Sequence, residues 1–440
     1  MWVSKYKRTT AAATLSAILI VATTTYYLVF PPPKVPKLIF RYTETITIEN
    51  RGNSSIELGR IATEGFPNLE WQRASLEKVN GSYTISRDGD GNPIVVVEGP
   101  ETLKGGESFT VTIVWKIESF SRPMPVVSLM DAGDLDSIPD SLKNYTRMVA
   151  PWWSPPDVRL DTEVWEGTPY YNKTLREVAS ILVDNETNVL KIVLEDIKWI
   201  ATYITYYSAS PTYPIETARN GTGDCDDQSN LLISLLRMQG IPAFLMMGLV
   251  HLRYSANRSG VTLGGHQYYE YHYVAGHGWA MVYIPPWGWL PCDLTSTHPS
   301  ELRSKPEKAI TEAIVWNPAT IIFRNATGIG GAKSSDYIGS WRNLEAEAKR
   351  KQIYYKLIID LERLSIPEHE VILRYPAVVI YLEVICAIVL VILINARERE
   401  RKALPAYLGS VNCTYCGSEN PADALYCGWC GRRLTKETTE

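Results

Sequence analysis

The sequence has no excess of basic charge. Lysine and arginine number 44 against 48 aspartates and glutamates, a net charge of -4 over 440 residues. A chain so balanced lacks the footprint that a phosphate backbone requires, so no nucleic-acid partner is expected. No internal repeat is visible. Phenylalanine is scarce at 7, while tyrosine (26) and tryptophan (13) are plentiful. The length corresponds to about three domains.

Charge is missing altogether from residues 11–30, AAATLSAILIVATTTYYLVF. Twenty helical residues rise about 30 Å, the thickness of a bilayer core. No Ala-x-Ala cleavage site is evident, which argues against a removed signal peptide. A second apolar run, YPAVVIYLEVICAIVLVILI, occupies 375–394 and is followed by Arg397, Arg399, Arg401 and Lys402. Lys5, Lys7 and Arg8 precede the first run. The positive-inside rule then places both termini in the cytoplasm, residues 1–10 among them, and 31–374 outside a cell membrane crossed twice. Eight N-x-Ser/Thr sequons, at Asn53, Asn80, Asn144, Asn172, Asn185, Asn220, Asn257 and Asn325, fall in that outer segment. Glu383 lies inside the second run, where a carboxylate is costly.

Between the runs the chain divides by pattern. Residues 36–120 alternate polar with apolar and are rich in Thr, Val and Ile, as in LIFRYTETITIEN and ESFTVTIVWKI. They predict an antiparallel, sandwich-like β-domain with nothing catalytic in it. TNVLKIVLEDIKWIATYITYY (187–207) has helical periodicity. Strands are expected at 243–250, 267–275, 277–284 and 287–294, within a domain spanning 145–330. Residues 334–366 read as one long charged amphipathic helix leading to the second run.

Cysteine is rare in the outer segment, where only Cys225 and Cys292 occur. Cys225 sits in GTGDCDDQSNLLISLLRMQGIPA (Gly221–Ala243). Asp224 is a good N-cap with Asp227 three residues on. Leu231, Leu232, Leu235 and Leu236 form the buried stripe, and Gly240-Ile241-Pro242 is a strong stop. Cys225 therefore opens a helix, where unpaired N–H groups and the dipole favour the nucleophilic thiolate. Asp224, Asp226 and Asp227 oppose this, so a cationic partner is needed.

Among six histidines, His277 stands out, in HGWAMVYIPPWGWLPCDLT (277–295). A hairpin turning at Pro285-Pro286-Trp287-Gly288 brings Asp293 back toward His277, although a simple register leaves the two out of step. Alternation places Cys292 on the face opposite Asp293, as a buried small residue rather than a disulfide partner of Cys225. Trp287 and Trp289 fit either a substrate cleft or an aromatic turn on the core.

In this order, Gly223-Asp224-Cys225, His277-Gly278-Trp279, Tyr283, Gly288-Trp289 and Asp293-Leu294-Thr295 resemble the transglutaminase-like superfamily. The resemblance covers about 145–300. It implies an α+β, papain-like core with a Cys225–His277–Asp293 triad and no catalytic cofactor. It implies acyl chemistry on amides of a protein or peptide substrate, and the high concentration of water favours hydrolysis, hence a cysteine protease or amidase. Transfer of glutamine acyl groups, or a non-catalytic binding, scaffold or sensor protein of the envelope, are the alternatives.

The tail 410–436 holds CTYCGSENPADALYCGWCGRRL, with Cys413, Cys416, Cys427 and Cys430 in two CxxC-Gly knuckles. Four thiolates suit a tetrahedral Zn²⁺ with no open position. A structural zinc ribbon that docks a cytoplasmic protein is expected.

Overall fold

The structure is a computed structural model. It describes residues 36–149, 153, 155–208, 210–253, 257–327, 336–365, 385, 388, 389, 392, 396, 409–422 and 424–434. Residues Lys34–Ile366 form one compact unit, and the flanking segments, Met1–Pro33 and Pro367–Glu440, group as another. Nearly all of both apolar runs, with Glu383 and Cys386, lies outside the described residues. Among the described residues no helix is long and apolar enough to cross a membrane.

The first unit opens with β1 (Leu38–Asn50), β2 (Ile56–Glu57), β3 (Arg60–Glu64), β4 (Gln72–Val79), β5 (Tyr83–Arg87), β6 (Pro93–Glu98), β7 (Thr102–Leu103) and β8 (Ser108–Ser119). Two helices, α1 (Leu175–Val183) and α2 (Val189–Tyr203), precede β9 (Thr205–Tyr206), α3 (Pro214–Asn220) and β10 (Thr222–Gly223). The helix of the thiol, α4 (Cys225–Met238), follows, then β11 (Ala243–His251), β12 (Arg258–Thr262), β13 (Gln267–His272), β14 (Val274–Ile284) and β15 (Gly288–Cys292). Short helices α5 (Pro299–Ser304) and α6 (Lys308–Thr311), β16 (Thr320–Ala326), α7 (Tyr337–Lys351) and β17 (Ile353–Leu364) complete it.

The β-rich start is confirmed in its strands but not as a self-contained domain. A six-stranded sheet runs β12-β13-β17-β1-β8-β4, so half its strands come from beyond residue 250. A three-stranded sheet, β3-β6-β5, shares its core through Ile61, Val95 and Val97, packed with Phe40, Val111, Ile113 and Ile117.

The single long helix expected over 334–366 is corrected. α7 ends at Lys351, Gln352 takes a left-handed φ of 56°, and β17 begins at Ile353. β17 pairs antiparallel with β1 along its whole length, from Asn50↔Ile353 to Ile39↔Leu364. A local apolar periodicity thus yields to a long-range ladder that buries Ile353, Ile359 and Leu361.

The α+β core expected from the sequence is present. A four-stranded sheet, β15-β14-β11-β16, carries α4 against one face. Leu231, Leu232, Leu235 and Leu236 of α4 are fully buried there with Leu245, Ala280, Val282 and Leu290. Each such leucine contributes about 1.5–3 kcal/mol on burial. The helix stops as its sequence requires: Gly240 has φ 84°, and Ile241 N–H returns to the Leu236 carbonyl at 2.8 Å.

Candidate active site

Cys225 is the first residue of α4 and Asp224 its N-cap. Asp227 works backward: its Oδ2 accepts from Asp224 N–H at 3.3 Å and its Oδ1 from Thr212 N–H at 2.8 Å. Gly223 is demanded by packing, because a Cβ there would lie 2.7 Å from Asp227 Cβ and 2.8 Å from Thr217 Cγ2. The Gly-x-Cys spacing thus fixes the thiol at the exposed end of a buried helix.

The histidine strand reaches this end edge-on. Gly278 passes so close that a Cβ on it would stand 3.0 Å from Asp226 Cβ. Ser229 Oγ bridges the two elements, donating to Cys225 O at 2.6 Å and approaching Gly278 O at 3.4 Å. The Sγ of Cys225 takes backbone hydrogen bonds at Gly278 and Asp226 and lies 3.9 Å from Asp226 Oδ1. No Sγ–imidazole hydrogen bond is formed among the described residues. Such catalytic contacts are often long before substrate binds.

His277 and Asp293 do meet. Nε2 of His277 lies 2.9 Å from Oδ2 of Asp293. The β14–β15 ladder ends at Ala280↔Cys292, and Asp293 then leaves it, its N–H donating to Ala309 O at 2.8 Å. That departure, with the diagonal reach across the hairpin, closes the register gap. Asp293 is completely buried. Its Oδ1 accepts from Thr295 and Ser296 N–H at 3.2 and 3.1 Å, and its Oδ2 from Ile314 N–H at 3.2 Å. Burial pushes this carboxyl up, but His277 and the N–H donors outweigh it and hold it below the usual carboxylate range. An ionised Asp293 only accepts, so Nε2 carries the ring proton and Nδ1 is the basic nitrogen.

The thiol itself is held protonated. Burial first, then the charges of Asp226 and Asp224, push it well above the ordinary thiol range. Burial and Asp226 likewise push Asp227 up to about 6. Asp224 rises for the same two reasons. A thiol in this setting reacts when a base removes its proton during attack, not as a standing thiolate.

The other described histidines have structural partners. His266 Nδ1 lies 3.0 Å from Ile353 O. His272 sits between Glu270 and Asp360, at 2.8 and 3.4 Å. His251 packs on Phe40, and His298 accepts from Ser300 N–H in capping α5. His369 lies outside the described residues. Cys292 is fully buried and free, on the α4 side of the sheet, as alternation predicts. Trp287 packs on the main core. Trp289 meets Tyr145, Phe244 and Tyr283, and walls a cavity of ≈ 180 Å³ with Met246, Met281 and Trp316.

Residues 176–294 match the transglutaminase-like superfamily. The matched segment runs from the first turn of α1 to just past Asp293 and contains all three site residues. No curated protein matches the chain. Among solved structures, it is similar to a candidate cysteine protease of Cytophaga hutchinsonii at 13% identity. That match covers 75% of this chain and 91% of that one, with a TM-score of 0.45. The periplasmic domain of TgpA from Pseudomonas aeruginosa is also similar, at 13% identity, over 62% of this chain and 91% of that one, with a TM-score of 0.27.

The site has two further residues that the motifs do not reveal. Tyr206, half-exposed on β9, has its phenol raised by burial and then by negative charge at the start of α4, Asp224 and Asp226 included. It is the last but one residue of the YITYY segment, which is the only cue in the sequence. Tyr337, at the start of α7, donates its hydroxyl to Asp226 Oδ2 from 111 residues away. Nothing local announces that contact.

In the tail, β18 (Ser410–Asn412) and β19 (Glu419–Pro421) frame two matched knuckles. Gly417 N–H returns to Cys413 O, and Gly431 N–H to Cys427 O, both at 2.9 Å, with φ of 73° and 71° at the glycines. The sulfurs of Cys413, Cys416, Cys427 and Cys430 all lie within 4.8 Å of one another. Two pairs stand at 3.7 and 3.6 Å.

Proposed function

We propose that the chain is a membrane-anchored thiol enzyme that cleaves amide bonds of a protein or peptide outside the membrane. The observation that carries this reading is the buried, 2.9 Å His277–Asp293 pair on the strand whose next residue touches the Cys225 thiol. As substrate enters, Nδ1 of His277 takes the S–H proton while Sγ attacks the amide carbonyl. Asp293, bonded to Nε2, steadies the imidazolium that forms. The N–H of Cys225, pointing out of the α4 N-terminus, donates to the developing oxyanion. Collapse expels the amine, which takes the proton from His277 and leaves a thioester on Sγ. Water, deprotonated by His277, then releases the acid and the free thiol.

A cysteine-directed, amide-mimicking probe tests this. Labelling should be abolished by Cys225→Ala and retained by Cys292→Ala. Absence of Cys225 labelling in a folded wild-type protein would refute the reading. Peptide libraries with and without a primary amine then separate hydrolysis, seen as new N-termini, from acyl transfer, seen as amine incorporation.

The outward placement rests on the two apolar runs with their flanking positive charges. In keeping with it, Asn53, Asn80, Asn144, Asn172, Asn185, Asn220 and Asn257 of the sequons are all exposed. The tail is assigned Zn²⁺ as a structural ion held by Cys413, Cys416, Cys427 and Cys430. Four sulfurs at about 2.3 Å from a tetrahedral zinc stand about 3.8 Å apart, close to the 3.7 Å of Cys413–Cys430 and the 3.6 Å of Cys416–Cys427 between the two knuckles. Bound zinc would supply folding energy to a segment too small to bury a core.

A further inference from the structure

At the start of α7, Asp336, Tyr337 and Arg342 reach back to α3 and α4, Tyr337 alone touching α4. Tyr337 is nine-tenths buried, at 8% exposure. Its hydroxyl accepts from Asn230 Nδ2 at 2.8 Å. An amide nitrogen only donates, so the phenolic proton has one destination, Asp226 Oδ2. Asp336, the N-cap of α7, accepts from Gly339 N–H at 2.9 Å and from Tyr213 Oη at 3.0 Å. Arg342 forks onto Glu216 at 2.6 and 3.3 Å and lies 4.8 Å over the Tyr213 ring. Tyr213 and Glu216 belong to the start of α3, which leads directly into the Cys225 loop.

Asp226 is the residue whose treatment matters most to the thiol. Its Oδ1 is 3.9 Å from Sγ, at the far limit of an S–H acceptor. A carboxylate free to swing closer would accept the S–H proton and stabilise the neutral thiol. The hydroxyl of Tyr337 occupies the other oxygen and fixes the rotamer.

We propose that Tyr337 is a positioning residue for the nucleophile: by holding Oδ2 of Asp226 it keeps Oδ1 at 3.9 Å from Sγ, a long and weak S–H acceptor that is kept from closing further, so that the thiol proton remains available to His277. The proposal rests on the reading of Cys225 as the nucleophile. The charged and titratable groups acting on the thiol are Asp226 and Asp224 at the start of α4, with Tyr206 of β9, itself near Arg258, beside them; from β14 the backbone of Gly278 touches Sγ, and the preceding residue, His277, is bonded to Asp293. Tyr337 acts on this set only through Asp226.

The test is the rate of Cys225 alkylation by iodoacetamide in the full-length protein, read peptide by peptide by mass spectrometry over roughly pH 6 to 9. Tyr337→Phe should slow Cys225 about tenfold at fixed pH, equivalent to an upward shift of about one unit. Asp226→Asn should speed it. On the Asp226→Asn background, Tyr337→Phe should change nothing. Because Tyr337→Phe removes a buried contact, 3-fluorotyrosine placed at position 337 gives a second arm that keeps the side chain. Its more acidic hydroxyl binds Asp226 harder and should speed alkylation. An unmoved profile with either replacement overturns the proposal. So does a Tyr337→Phe effect that persists at full size when residue 226 is asparagine, since a purely structural role predicts that. The readout needs no substrate. Loss of amide cleavage in the wild type would sink the function and leave this coupling standing.

Discussion

Asp196 offers the most quantitative test of the domain's energetics. It lies on α2, fully buried. One oxygen accepts from Gln239 Nε2 at 3.0 Å, and the other has no partner. Burial pushes its carboxyl up to about 8, against a small opposing effect of the Gln239 bond. Gln239 is the C-cap of α4, so this contact seats the helix that carries the thiol. An unfolded aspartate titrates near about 3.9. Between that value and about 8 the native protein binds one more proton than the unfolded chain, so stability falls as pH rises, by about 1.4 kcal/mol per unit. From about pH 5 to pH 8 the loss sums to roughly 3–4 kcal/mol, allowing for half-titration at the upper end. Asp196→Asn keeps the shape, can keep the Gln239 contact and has nothing to titrate. Urea unfolding of wild type and variant, followed by tryptophan fluorescence across that range, should show near-equal stability at the acid end. The variant should be ahead by roughly 3–4 kcal/mol at the alkaline end. Parallel pH slopes for the two proteins would refute the argument, because every other titrating group is common to both.

Other substitutions probe the site directly. Gly278→Ala adds a Cβ 3.0 Å from Asp226 Cβ, so the histidine strand and the helix end must part by a few tenths of an ångström. Probe labelling of Cys225 should fall roughly 10- to 100-fold, as expected for a displacement near 1 Å or less, with a modest change in melting temperature. Asp293→Asn puts an amide among donors that need an acceptor, and turnover on a cleavable peptide should drop about 10²- to 10⁴-fold. Leu235→Ala empties a fully buried position on α4, and urea unfolding should register a loss of about 2–5 kcal/mol. A strong zinc chelator should release the thiols of Cys413, Cys416, Cys427 and Cys430 to a colorimetric thiol reagent while Cys225 labelling stays unchanged.

The thiol helix was legible because its information is local. Cap, leucine stripe and glycine stop all lie within Gly221–Ala243, and each side chain does there what its chemistry requires. The meeting of His277 with Asp293 was legible as an order of motifs, and alternation placed Cys292 on the α4 side of the sheet. What the sequence hid is non-local. IYYKLIIDLERL satisfies a helical period as readily as a strand, and only pairing with β1, more than three hundred residues earlier, decides for the strand. The β-rich start looked self-sufficient because nothing in residues 36–120 reveals that β12, β13 and β17 will extend its sheet. Tyr337 escaped notice for the same reason: a hydroxyl meets a carboxylate only after the chain has folded. The gap between His277 and Asp293 was also beyond a flat-ladder picture, since Asp293 closes it by leaving the strand.

The antiparallel pairing of β1 with β17 has a mechanical meaning. Ile39 and Leu364 face each other at the same end of that pair, so both chain ends of the unit emerge side by side. Tension pulling those ends apart would load the hydrogen bonds one after another, as a zipper opens, and not all together in shear. Such a seam resists little force. Attachments at the two ends leave the unit intact while they stay close together, and attachments that drifted apart would peel it open from Ile39 inward.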